Sequence, residues 1–202
     1  REAKPWVRFG ISPFGVWRPD HPEGIVASDM YDGIACDSRL WIREGWVDYI
    51  APQLYWAIES PGQPFEPLLD WWIDQNPMGR HVWAGICPMR ISETERGERQ
   101  WAASEITDQI ALERTKSGSS GVILYHDRPL AENRDGIFDA LGEGPYTREA
   151  LVPASPWLNE APPAPPEVAA SQSAPGAMRT VHWMPSDGVD PAHWVIHMEI
   201  DD

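Results

Sequence analysis

Apolar positions along the chain follow two spacings. Four short continuous apolar runs, Val7 to Ser12 (VRFGIS), Val47 to Tyr55 (VDYIAPQLY), His81 to Met89 (HVWAGICPM) and Gly121 to Tyr125 (GVILY), end at Pro, Gly or charged residues, as buried strands do. Between them apolar residues recur every three or four positions, the period of a helix with one buried stripe. Asp37 or Ser38 can cap a helix running to about Glu44, with Leu40 and Trp41 on its inner side and Gly45 as its stop. Phe65 to Asn76 repeats the pattern with Leu68, Leu69, Trp72 and Ile73 on one stripe, and Pro77 and Gly79 end it. Glu98 to Lys116 reads as a longer amphipathic helix, and a short helical piece follows near Gly136 to Leu141. The run Val47 to Tyr55 has too few polar residues to give one face to water, so it reads as a strand covered on both sides. Pro52, without an N–H, belongs near its C-terminal end, where Gln53, Tyr55 and Trp56 would turn toward a cleft.

The order is strand then helix, four times, with a period of about forty residues. Parallel strands joined by helical crossovers are the expected geometry. A closed (β/α)8 barrel needs about 250 residues and eight such units. The expected fold class is therefore α/β, a partial TIM barrel holding about strands 5 to 8 with their helices, over residues 1–158. An open doubly wound sheet is the competing architecture, but no Gly-rich phosphate turn follows the first strand. Residues 159–178, rich in Pro and Ala, read as a linker, and residues 179–202 as a truncated β-sandwich piece ending in an alternating strand (Trp194, Ile196, Met198, Ile200).

Charge narrows the partners. Sixteen basic against thirty-one acidic residues give a formal charge of −15, which repels phosphate backbones, so no nucleic acid is expected. No apolar run reaches the ~20 residues of a membrane-spanning helix. The opening REAKPWVRFG carries no signal peptide and reads as a cut end. Cys36 and Cys87 lack the spacing of a disulfide framework or a zinc site. His21, His81 and His126 fall on separate segments without an i, i+4 pair, so no metal and no cofactor is expected. Ser12 and His126 raise a hydrolase dyad, but no GxSxG elbow accompanies them.

Twelve Trp residues suit a carbohydrate site, since indole faces stack on the C–H faces of sugar rings. The residues expected to bind substrate close or follow the first two strands: Ser12, Phe14, Trp17, Arg18, Gln53, Tyr55 and Trp56. Carboxylates expected at the C-terminal ends of strands, the face where barrel active sites lie, are Asp20, Asp29, Asp32, Glu59, Glu93 and Asp127. Glu59 and Asp127, nearest to strand ends, are the expected catalytic groups.

Read together, KPWVRFGISPFGVWR, CDSRLWIREGWVDYIAPQLYW, LLDWW and PPAPPEV resemble the glycosyl hydrolase-like 10 family, also called domain of unknown function 187, over about Lys4 to Trp157. The resemblance implies a TIM-barrel glycoside hydrolase, secreted or in the cell envelope, acting on a polysaccharide such as peptidoglycan glycan strands. It also implies a fibronectin type III-like module at the C-terminal end, and a main catalytic acid, in an Asp-Asp-Tyr type run, upstream of Arg1. YHDRPL departs from the family's Phe-Ser type ending of the last strand. The alternative expectation is a non-catalytic carbohydrate-binding barrel; a third is an interaction scaffold. Four strands taken from a closed barrel would leave open edges at VRFGIS and GVILY, so the chain alone is expected to associate.

Overall fold

A computed structural model describes residues 2–4, 6–91, 101–148, 150–158, 164–170 and 181–185. Two compact units divide the chain, Arg1–Ser155 and Pro156–Asp202.

In the first unit, β1 (Gly10–Ile11) leads through α1 (Met30–Gly33) and α2 (Ser38–Arg43) to β2 (Tyr49–Ile50). Helix α3 (Phe65–Asp74) connects to a strand assigned in two parts, β3 (His81–Val82) and β4 (Ala84–Ile86). Helix α4 (Ala103–Arg114) then leads to β5 (Val122–Leu124), followed by α5 (Arg128–Ala131) and α6 (Ile137–Glu143). The strand pairs described in this unit are parallel: Gly10 pairs with Tyr49, Ile50 with Val82, and Gly85 with Ile123. Single bridges Phe14–Gln53 and Gln53–Gly85 extend the same ladder, so the strands lie side by side in chain order. A mixed α/β unit of this kind is compatible with a segment of an α/β barrel.

Backbone bonds show how the central run is held. Ala51 and Gln53 donate to Ile11 and Pro13 on one side, at 2.8 and 3.0 Å, while Ile50 and Pro52 carbonyls accept from Trp83 and Gly85 on the other, at 2.9 Å each. Pro52 has no N–H to return toward Trp83, and there the third strand is interrupted. Alternation then sorts the side chains. Ile50, Leu54, Val82, Ala84 and Ile86 point to one face and, with Phe65, Leu68, Leu69 and Trp72 of α3 and Ile106 and Ile110 of α4, form the buried core.

The opposite face is covered only in part by the described residues: Val47, Ala51 and His81 are buried there. Tyr49, Gln53 and Tyr55 are only partly buried, and Phe14, Ile123 and Tyr125 are 51%, 39% and 52% exposed. Every residue from Val47 to Tyr55 is thus buried or partly buried, more fully on the face that packs on helices than on the other. A correction falls in α2, where Ser38 and Ile42 are buried while Leu40, expected on the inner side, is exposed. Of the two residues that could cap it, Asp37 is the one that does, its Oδ1 accepting from Leu40 N at 3.1 Å. The helix expected over Glu98 to Lys116 is described from Ala103 to Arg114, and Glu93 lies outside the described residues.

In the second unit β6 (Glu167–Ala170) pairs antiparallel with β7 (Val181–Met184), Val168 opposite Trp183. Strand β6 thus occupies part of the stretch read as linker. The alternating strand expected from Trp194 to Ile200 lies outside the described residues. No described helix is long and apolar enough to cross a membrane.

Candidate functional site

At the C-terminal ends of β2 and β4, a cleft of about 450 Å³ is lined by Tyr55, Trp56, Glu59, Arg90, Trp101 and Glu105, among others. Its size is that of a small-ligand site. Tyr55 and Trp56 are placed by the end of the central strand. Trp56 rests on Gly15, where an added Cβ would stand 2.7 Å from the indole and 2.3 Å from Gln53 O, so only glycine allows this approach. Trp72 Nε1 holds the same glycine from below, donating to its carbonyl at 2.8 Å in a buried bond.

Helix α4 fixes the loop that follows. Buried Gln109 donates through Nε2 to Trp56 O at 3.0 Å and to Glu105 Oε1 at 2.9 Å. The same Glu105 oxygen accepts from Ile58 N at 2.7 Å. Glu105 therefore positions the loop, whereas the exposed Glu59 carboxyl has no hydrogen-bond partner among the described residues and is free to meet a ligand.

Beside the cleft the open sheet face continues it. Gln53 Nε2 donates to Ser12 O at 2.9 Å, and Phe14 pairs with Gln53 across the ladder. Tyr55 stacks on Tyr125 with centroids 5.3 Å apart. Burial, with smaller contributions from Cys87 and Tyr125, pushes the Tyr55 phenol up to about 12, so it remains a hydrogen-bond donor at any physiological pH.

The expected single cleft is divided. Ser12, Phe14, Gln53, Tyr55, Trp56 and Glu59 come together around the ends of β1 and β2. Trp17 and Arg18 instead line a second pocket with residues of α2, and Trp17 is 93% buried, stacked on Trp71 of α3 at 6.0 Å. The loop after β1 folds back over the helices, which carries these two residues away from the sheet's open face. Asp127 does not line the cleft either; its side chain is 92% exposed and its Oδ1 lies 2.6 Å from His126 Nδ1. Asp29 and Asp32 are engaged by Arg18, at 2.9 and 3.1 Å. Sequence reading missed Arg90, Trp101 and Glu105. The signal available was position: all three follow the third strand before or within the first turn of its helix, at the same end as Trp56.

The first half of the chain, residues 1–103, matches the family described as Glycosyl hydrolase-like 10. Glycosyl hydrolase YngK of Bacillus subtilis (strain 168) is 37% identical over 177 residues, which cover 83% of this chain and 34% of that protein. Glycosyl hydrolase DigH of Escherichia coli (strain K12) is 32% identical over 137 residues, 63% of this chain and 31% of the relative. The chain thus spans about a third of the length of these curated relatives.

Proposed function

Since the chain belongs to the glycosyl hydrolase-like 10 family, we propose that it forms the substrate-holding part of a glycoside hydrolase barrel that cleaves glycosidic bonds of a polysaccharide. The observation that carries the reading is the cleft in which Tyr55, Trp56 and Trp101 surround Glu59 and Glu105. Indole and phenol faces take sugar rings, and carboxyl, guanidinium and carboxamide groups take their hydroxyls.

Enzymatic hydrolysis of a glycosidic bond normally uses two carboxyl groups across it, about 5 to 5.5 Å apart for retention and about 6.5 to 9.5 Å for inversion. In our reading Glu59 is one of them, being without a partner among the described residues, and Glu105 keeps the Trp56 loop in register. Asp127, the other expected acid, lies outside the cleft lining, so the second group is assigned to a part of the intact protein beyond these residues. The proposed substrate is the glycan strand of peptidoglycan, and the proposed location is secreted or in the cell envelope. Both follow from the family resemblance.

The test uses intact protein with purified glycan strands, following new reducing ends. Glu59→Gln should lower turnover by about a hundredfold or more while binding persists, as for loss of a group acting on the reacting bond. Full turnover in that variant would remove Glu59 from the chemistry, and no turnover in the unaltered protein would return the cleft to the second reading, a carbohydrate-binding barrel without catalysis. The placement of Asp127 outside the cleft favours that alternative.

A further inference from the structure

The second pocket has its own chemistry. It encloses about 320 Å³ between the loop after β1 and helix α2, and shares no lining residue with the cleft. Three guanidinium groups border it, in a chain whose formal charge is −15. Their situations differ. Arg18 is already committed: Nε donates to Asp29 Oδ2 at 3.0 Å, Nη2 to Asp32 Oδ2 at 3.1 Å, and its guanidinium carbon lies 4.8 Å from the Tyr31 ring centroid. It fastens the loop, and with two carboxylates on one guanidinium this group of three carries one net negative charge.

Arg39 and Arg43, one turn apart on α2, lie on the same side of the helix. Arg39 Nε donates to Gln75 Oε1 at 2.8 Å and its guanidinium lies 5.0 Å from the Trp17 ring centroid, which pre-orients it while the terminal nitrogens have no partner among the described residues. Arg43 has no ion pair or hydrogen bond among the described residues. Asp37, the only carboxylate in the lining, is turned to Leu40 N as a helix cap. The three arginines and the carboxylates of Asp29, Asp32 and Asp37 balance in charge, so the selection comes from geometry: the guanidinium edges that Arg39 and Arg43 leave without a partner among the described residues are forks that grip a singly charged oxyanion through paired N–H bonds. The remaining walls, Trp17, Tyr31 and Leu40, are flat and apolar, and the volume lies at the lower end for small ligands, sufficient for one ring and too small for an oligosaccharide.

We propose that this pocket is a second binding site, for a sugar ring bearing a carboxylate, held by Arg39 and Arg43 at the charge and by Trp17 and Tyr31 at the ring. The anionic part stands on the two arginines; the sugar part rests on the glycan reading above. A site of this kind, off the cleft, selects acidic units of a polymer while neutral units are processed elsewhere.

Calorimetric titration of the intact protein with sodium glucuronate, glucose, sodium acetate and sodium sulfate decides it. Glucuronate is expected to bind at least tenfold more tightly than glucose and than acetate or sulfate. Arg43→Gln, at an exposed position, should cost about tenfold in glucuronate affinity with the unfolding midpoint unchanged, in line with the worth of a hydrogen bond to a charged group. Equal binding of glucose and glucuronate, or an Arg43→Gln variant that binds as before, would overturn the site. Acetate or sulfate binding as tightly as glucuronate would overturn the sugar assignment. The two readings separate, because glucuronate binding without glycan cleavage sinks only the hydrolase reading, and cleavage without Arg43-dependent binding sinks only this one.

Discussion

Gly15 joins three parts of the molecule at one atom-sized gap: the loop after β1, the Trp56 indole and the Trp72 indole of α3. Gly15→Ala should push its Cβ into Gln53 O and Trp56, at a stability cost of about 1 to 3 kcal/mol and with weaker glycan binding, read by urea unfolding and by titration with a soluble glycan. Trp72→Phe keeps most of the buried ring but leaves the Gly15 carbonyl without its donor. A loss of about 1 to 3 kcal/mol in urea unfolding is expected, and an unchanged midpoint would mean that the bond contributes nothing. His81 carries a pH dependence. It is buried, its Nδ1 and Nε2 lie 3.1 Å from the Ser120 and Ser155 hydroxyls, and burial, reinforced by Arg8 and opposed by Asp48, lowers its pKa below the usual 6.5. The unfolded chain then takes up a proton first as pH falls through about 6.5, so this histidine's contribution favours folding above that pH and is lost below it. Thermal unfolding between pH 7.5 and 5 should show the loss, and His81→Gln should shrink it.

Among the elements, α4 does the most for the cleft. Its Gln109 and Glu105 hold Trp56 O and Ile58 N, and the helix is anchored by Ala103, Ile106 and Ile110 in the core. Removing the acceptor by Glu105→Ala should release the Trp56 loop and reduce glycan affinity by about tenfold, whereas Glu105→Gln, which retains an acceptor oxygen, should stay close to the original. Equal losses in the two variants would assign Glu105 a direct role in binding charge. Helix α3 was readable to within two residues because its stripe, Leu68, Leu69 and Trp72, is the one buried by the sheet. Helix α2 was readable in extent but not in facing, since Leu40, Trp41 and Ile42 are contiguous apolar residues and only packing decides that Ile42 enters the core.

At the scale of the whole molecule, the sheet presents helices to one side and an aromatic, partly exposed face to the other, with Phe14, Ile123 and Tyr125 near or above half exposure in two of three cases. Apolar sheet surface of this kind, together with unpaired strand edges, drives association. The 202-residue chain by itself should therefore elute in light-scattering chromatography as oligomers, and a sharp monomer peak with cooperative unfolding would show that the open face needs no cover. What the sequence determined alone is local and periodic: where strands and helices fall, that the strands run parallel in chain order, a helix cap at Asp37 or Ser38, and the aromatic strand end Tyr55–Trp56, because these follow from spacing, caps and Pro or Gly stops. Which residues share a site was decided only in three dimensions. Trp17 and Arg18 left the cleft because their loop folds over α2 and α3, and Arg90, Trp101 and Glu105 entered it from far along the chain because a parallel crossover returns the next element to the same end of the sheet. Neither outcome has a signature within a window of neighbouring residues, since both depend on contacts between segments tens of residues apart.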